Sequence, residues 1–230
     1  MMKVMTKVCP IVAAAVLALA AIPAKAQNAD WNDIATERAP GWYSISPGAG
    51  VKVENFFETY SEALGIDKSH NSFVLLRKES DELGFTHYRY QQHYKGIPVE
   101  GSQFLLHAKD GFVVSCNGEP VANLNLSTTA TLNAQESLNA ALNYVGAKSY
   151  MWEDANPSQI YNHHSFQPSP ALTISDKNYS GKGENYRLVY KMDIFAREPM
   201  SREYVFVDAN SGQVFHTLNR IHHTNDAHLG

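Results

Sequence analysis

Ten histidines lie in this chain of 230 residues, and they are the first side chains to weigh for chemistry. A zinc hydrolase of the common helical type needs two imidazoles one turn apart, with a glutamate beside the first as general base. No histidine here is followed by glutamate, and no two are spaced i, i+4. His163 and His164 are neighbours in a loop-forming stretch, where adjacent side chains point apart. His222, His223, Asp226 and His228 gather near the C-terminus, where solvated histidines are the simpler reading and adventitious metal binding the other. Glu79, Asp81 and Glu82 fall in a charged turn. A nucleophile elbow and a phosphate loop are missing, and Gly181-Lys182-Gly183 alone says little. The expectation is therefore no catalytic residue, no metal ligand and no cofactor in this chain. Cys116, in the apolar run 112–116, reads as a buried inert thiol, with a zinc-capping thiolate as the alternative.

The elements that must position any function centre on residues 87–107. Alternation places Tyr88, Tyr90, Gln92 and Tyr94 on one face of a strand and His87, Arg89, Gln91 and His93 on the other. Lys95-Gly96-Ile97-Pro98 interrupts it, because glycine permits positive φ and proline lacks a donor. A second strand runs from Val99 to about His107, and Gly101 inside it predicts a bulge or a close backbone approach. Gln91-Gln92 in a strand reads as a solvated amide face when taken alone. The spacing Arg89-x-Gln91-Gln92-x-Tyr94-x-Gly96-x-Pro98-Val99-x-Gly101, closed by His107, resembles the fungalysin/thermolysin propeptide motif. That motif belongs to the first half of the prosegment of secreted thermolysin-like (M4) zinc metallopeptidases.

Composition is that of a folded protein, with 44% hydrophobic and 18% charged residues. Residues 1–26 read as a signal peptide: Lys3 and Lys7, an apolar run from Ile11 to Ile22, then Ala24-Lys25-Ala26 as the cleavage site before Gln27. The apolar run is short for a membrane span, and Cys9 precedes it, which disfavours a lipid anchor. Export to the periplasm or the medium is expected. Loss of the three leader lysines shifts the formal charge from −4 to −7, with no basic patch for nucleic acid or an anionic membrane.

Residues 27–50 read as an extended arm whose aromatics, Trp31, Trp42 and Tyr43, dock on the first module. That module, 51–122, opens with a helix from Val53 to Leu64 on the stripe Val53, Phe56, Phe57, Tyr60, Leu64, stopped by Gly65. Strands come next over 72–78, the two signature segments and 112–116, the last pair joined by an Asp110-Gly111 turn. Residues 123–132 read as a linker. The second module, 133–220, begins with a helix whose Asn133 and Glu136 have capping-box spacing and whose end is Gly146. A loop-rich stretch over 156–184 separates it from strands at 186–196, 202–208 and 213–218. The run Glu203-Tyr204-Val205-Phe206-Val207-Asp208-Ala209-Asn210-Ser211-Gly212-Gln213-Val214 resembles a PepSY domain.

The fold expected is α+β, two tandem modules, each one helix packed on a curved antiparallel β-sheet in cystatin-like fashion. What the resemblance implies is a prosegment that assists folding of a thermolysin-like catalytic domain and inhibits it until proteolysis. Zinc would then belong to that partner, and residues 221–230 to a junction, with Arg220, His222, His223, Asp226 and His228 as its residues. A truncated precursor and a free-standing protein both fit the chain's end near Gly230. A secreted binding module without a protease partner, using Tyr88, Tyr90, Tyr94 and the glutamine pair as an exposed face, is the alternative. An enzyme with an unrecognised site is the last.

Overall fold

The computed structural model describes residues 29–153 and 166–221. In chain order its elements are α1 (Trp31–Ile34), β1 (Ala35–Ala39), β2 (Trp42–Ile45), α2 (Phe56–Tyr60), β3 (Asn71–Ser80), β4 (Phe85–Tyr94), β5 (Ile97–Lys109) and β6 (Phe112–Gly118). After them come α3 (Ala134–Val145), β7 (Ser149–Tyr150), β8 (Ala171–Ser175), β9 (Arg187–Glu198), β10 (Ser201–Asp208) and β11 (Val214–Asn219). All eleven strands join one mixed sheet system. The class is α+β, with few helices on a large mixed sheet.

The helix expected from Val53 to Leu64 is shorter. A 3-10 turn at Val53–Asn55 leads into α2, which stops at Tyr60. Ser61 Oγ donates to Phe57 O at 2.6 Å, a side-chain bond that competes with the backbone ladder. Leu64 and Gly65 then take i→i−3 bonds, tightening the chain into turns. The apolar stripe still forms a buried face: Phe56 and Tyr60 are buried with Trp31, Phe104 and Leu106. The N-terminal arm is a correction too. It is a short helix and a hairpin, β1–β2, and β2 pairs with β6 through Tyr43↔Cys116. Trp31 meets Tyr43, Phe56 and Tyr60 at centroid distances of 5.2, 6.1 and 5.4 Å.

Of the helices, α3 matches its sequence signals most closely. Asn133 Oδ1 accepts from Glu136 N at 2.9 Å, and Glu136 Oε2 accepts from Asn133 N at 2.8 Å. Gly146 ends the helix in the left-handed conformation. The stretch 123–132 is packed: Leu124 is buried, and Thr131 and Leu132 both donate backbone bonds to Ala209 O. The loop-rich region contains β8, which pairs antiparallel with β9.

Two apolar cores share the long strand β5. Phe104, Leu106 and Ala108 belong to the core with α2, while Val99 belongs to the core with α3, as does Tyr94 of β4. Accordingly β5 changes neighbours along its length. Its later half pairs with β6, and Val99 pairs in parallel with Ile174 of β8. The motif hairpin is the hub of the molecule.

Candidate functional site

The hub is built by the two glutamines. Between Gln91↔Gln103 and His93↔Pro98, one residue of β4 faces four of β5, so a wide bulge spans Val99–Ser102. A bulge strips carbonyls of their ladder partners, and Gln91 supplies replacements. Its Nε2 donates to Val99 O at 2.6 Å and Ser102 O at 2.9 Å. Gln92 is wholly buried and makes four bonds, the full capacity of a primary amide. Its Nε2 donates to Asn71 Oδ1 (2.8 Å) and Val121 O (2.9 Å). Its Oε1 accepts from Ser102 Oγ (2.6 Å) and Val121 N (2.8 Å). The amide thus acts as a strand partner for Val121 and fastens the chain leaving β6 to the hairpin.

The remaining motif residues divide by place. Lys95 and Gly96, with φ of 47° and 81°, form the tight turn that aligns the strands. Pro98, which cannot donate, accepts from Thr173 Oγ1 at 2.9 Å and so ties β8 to the hairpin. Gly101 has φ +76°, and a Cβ there would lie 2.8 Å from Tyr179 Cδ1. Burial pushes the Tyr179 phenol up to about 12, as does the nearby Glu100 charge. Arg89 and His107 sit on the outer face. Arg89 Nη1 donates to Gln103 Oε1 at 2.8 Å, and His107 meets His87.

The reading of the tyrosines and glutamines as an exposed face is therefore overturned. Tyr94 is buried, and Tyr88 and Tyr90 pack against the first core. Alternation puts them on one face; the aromatic cover of α2 and β3 decides that this face is the inner one. Phe57, stacked on Phe73 at 3.9 Å, is part of that cover. Cys116 is fully buried, and desolvation pushes its thiol up to about 12, so it is no thiolate ligand.

Sequence reasoning missed a serine–histidine pair. Ser175 Oγ and His216 Nε2 are 2.9 Å apart, and His216 stacks on Phe206 at 4.0 Å. Ser175 is 0% exposed, so no substrate reaches its hydroxyl. The pair is core architecture, and burial holds the His216 imidazole below its ordinary pKa. Their separation in sequence left no local signal. Among the described residues, no group of three or more His, Cys, Asp or Glu is placed to hold a metal ion.

A cavity of about 260 Å³ lies on the β9–β10 face, walled by Phe166, Asp193, Phe195, Arg202 and Tyr204 among others. Arg202 donates to both Asp193 oxygens, Nε at 3.1 Å and Nη2 at 2.7 Å, and stacks over Phe195. Arg220, expected at the junction, also pairs with Asp193 and lies over Tyr204; its backbone N–H donates to Arg202 O at 2.8 Å. His222, His223, Asp226 and His228 lie outside the described residues, as do His163, His164 and the expected signal peptide with Ala24, Ala26 and Gln27 at its expected cleavage site.

Comparison with known protein families finds a match over the hairpin region. Residues 71–120 match the Fungalysin/Thermolysin Propeptide Motif. The matched stretch runs from the start of β3 to the end of β6 and stops just short of Val121, which Gln92 holds. Thermolysin of Alicyclobacillus acidocaldarius subsp. acidocaldarius is 28% identical over 151 residues, covering 64% of this chain and 25% of its own length. Bacillolysin of Bacillus subtilis (strain 168) is 30% identical over 174 residues, covering 74% of this chain and 31% of its own. The chain thus spans between a quarter and a third of these two relatives. The Bacillus megaterium YpeB C-terminal domain aligns with a TM-score of 0.37 at 8% identity, covering 79% of this chain and 72% of that one. A score so low does not define a shared fold.

Proposed function

We propose that this chain is the prosegment of an exported thermolysin-like zinc metallopeptidase, assisting the folding of the catalytic domain and holding it inactive until cleavage. The observation that carries this reading is the propeptide motif at residues 71–120, whose glutamines build the hub of the fold. A pre-formed sheet gives a slow-folding partner a surface on which its non-local contacts condense, lowering the entropy cost of its nucleus. In this reading the fungalysin/thermolysin propeptide module spans 51–122, 123–132 joins the modules, and 133–220 is PepSY-like. Zinc resides in the partner, the leader exports the protein to the periplasm or the medium, and nucleic acid plays no part. No helix among the described residues is long and apolar enough to cross a membrane.

The edge strand β3 offers a contact surface for that partner. Among the described residues it pairs only with β4, and Val74, Leu75 and Leu76 are 46%, 46% and 52% exposed. Processing would fall beyond Arg220, because a protease needs a free extended segment and Arg220 is bound to the sheet through Asp193 and Arg202 O. Refolding tests the chaperone half of the proposal. A denatured thermolysin-like catalytic domain, diluted with and without this chain in trans, should recover activity only in its presence after the chain is digested away. Equal recovery without the chain would refute that half.

A further inference from the structure

His87 on β4 and His107 on β5 face each other directly across the antiparallel ladder. Their Nδ1 atoms are 2.6 Å apart and their ring centroids 4.9 Å. The far nitrogen of each ring has its own oxygen partner. His87 Nε2 is 3.1 Å from Asp81 Oδ2, and His107 Nε2 is 2.8 Å from Asn117 Oδ1. Asp81 is itself fixed, since its Oδ1 accepts from Leu83 N and Phe85 N, both at 2.9 Å. A carboxylate only accepts, so His87 carries its proton on Nε2, and the Asn117 oxygen asks the same of His107. When both rings are neutral, each imidazole turns its Nδ1 lone pair on the other. Two lone pairs at that distance repel unless a cation lies between them.

We propose that His87 and His107 form a surface site for a divalent first-row transition-metal ion, with both Nδ1 atoms as ligands and water completing the shell. Imidazoles oriented by oxygen acceptors on their far nitrogens are the usual setting of histidine ligands. Metal–nitrogen bonds of about 2.0–2.1 Å need the two Nδ1 atoms roughly 3 Å or more apart, a small opening for half-exposed rings. With two neutral nitrogen donors and no thiolate, the order of affinity is Cu²⁺ above Ni²⁺ and Zn²⁺. The two histidines lie on the consecutive strands of the hairpin, and the bulge between them hides their pairing from a count along the sequence.

The test uses the full chain carrying H163A, H164A, H222A, H223A and H228A, which removes the other clustered histidines. Cu²⁺ and Zn²⁺ are titrated by calorimetry, and the Cu²⁺ form is read by electron paramagnetic resonance. Expected are saturable binding of about one ion per chain, nitrogen couplings from two imidazoles, and roughly tenfold or greater weakening in H87Q and in H107Q. N117A, which leaves both ligands in place, should weaken binding about tenfold by freeing the His107 ring. Thermal melts without metal establish that each variant is folded. No saturable binding, the result if only a shared proton joins the rings, overturns the proposal. So does affinity unchanged in the folded H87Q and H107Q variants, or a copper spectrum without two imidazole nitrogens.

Discussion

Gln92 is the side chain on which most of the hub depends, because four polar groups, three of them buried, have it as a partner. Replacing it with alanine strands the Val121 N–H and C=O, and the Gln92→Ala variant should lose about 3 kcal/mol of stability by chemical denaturation. His216 gives a pH dependence. Desolvation lowers its pKa in the folded state from 6.5, despite the opposing charges of Glu100 and Asp176. The unfolded chain therefore binds this proton more readily. The His216 contribution is full above the unfolded value near 6.5 and falls as pH drops toward the folded value, at up to about 1.4 kcal/mol per pH unit. Denaturant midpoints measured from pH 7.5 downward should show this loss, and the His216→Asn variant should flatten the profile in that window. The strand bearing Gln91 and Gln92 is legible as an alternation. Their partners are not, since Val121 comes 29 residues after Gln92 and nothing local announces the contact.

At the scale of elements, local chemistry is readable where it is self-contained. The α3 capping box, its glycine stop and the Asp110-Gly111 hairpin each need only neighbouring residues. Asn133→Ala should cost about 1 kcal/mol, read from thermal or urea unfolding, because it frees the Glu136 N–H. Elements formed through distant pairing escape such reading. β1 and β2 exist because β2 completes the edge of β6, and β8 is a five-residue strand held by β9 and Pro98 within a stretch full of turn formers. The α2 stripe is correct as a buried face and too long as a helix, for Ser61 closes the turn early.

For the whole molecule, the shared strand β5 changes what a hub mutation does. Two independent modules would confine the damage of Gly101→Val to the first. The structure places Gly101 against Tyr179, in the second half, and between the parts of β5 that serve the two cores. Valine there meets both a strained φ and a close ring, so a loss of about 3 kcal/mol or more is expected, felt by probes in both halves. Fluorescence of Trp31 and Trp152 distinguishes the cases when each is monitored with the other tryptophans replaced by Phe. Melting of the Trp31 signal alone would restore the picture of independent modules.

The most direct test of the prosegment reading is inhibition of a thermolysin-like protease by purified residues 27–230, with the intact mass tracked through the reaction. Tight inhibition is expected, with trimming confined to the C-terminal side of Arg220 and the hub left whole. Rapid degradation through the body of the chain, with no loss of protease activity at any concentration, would contradict it.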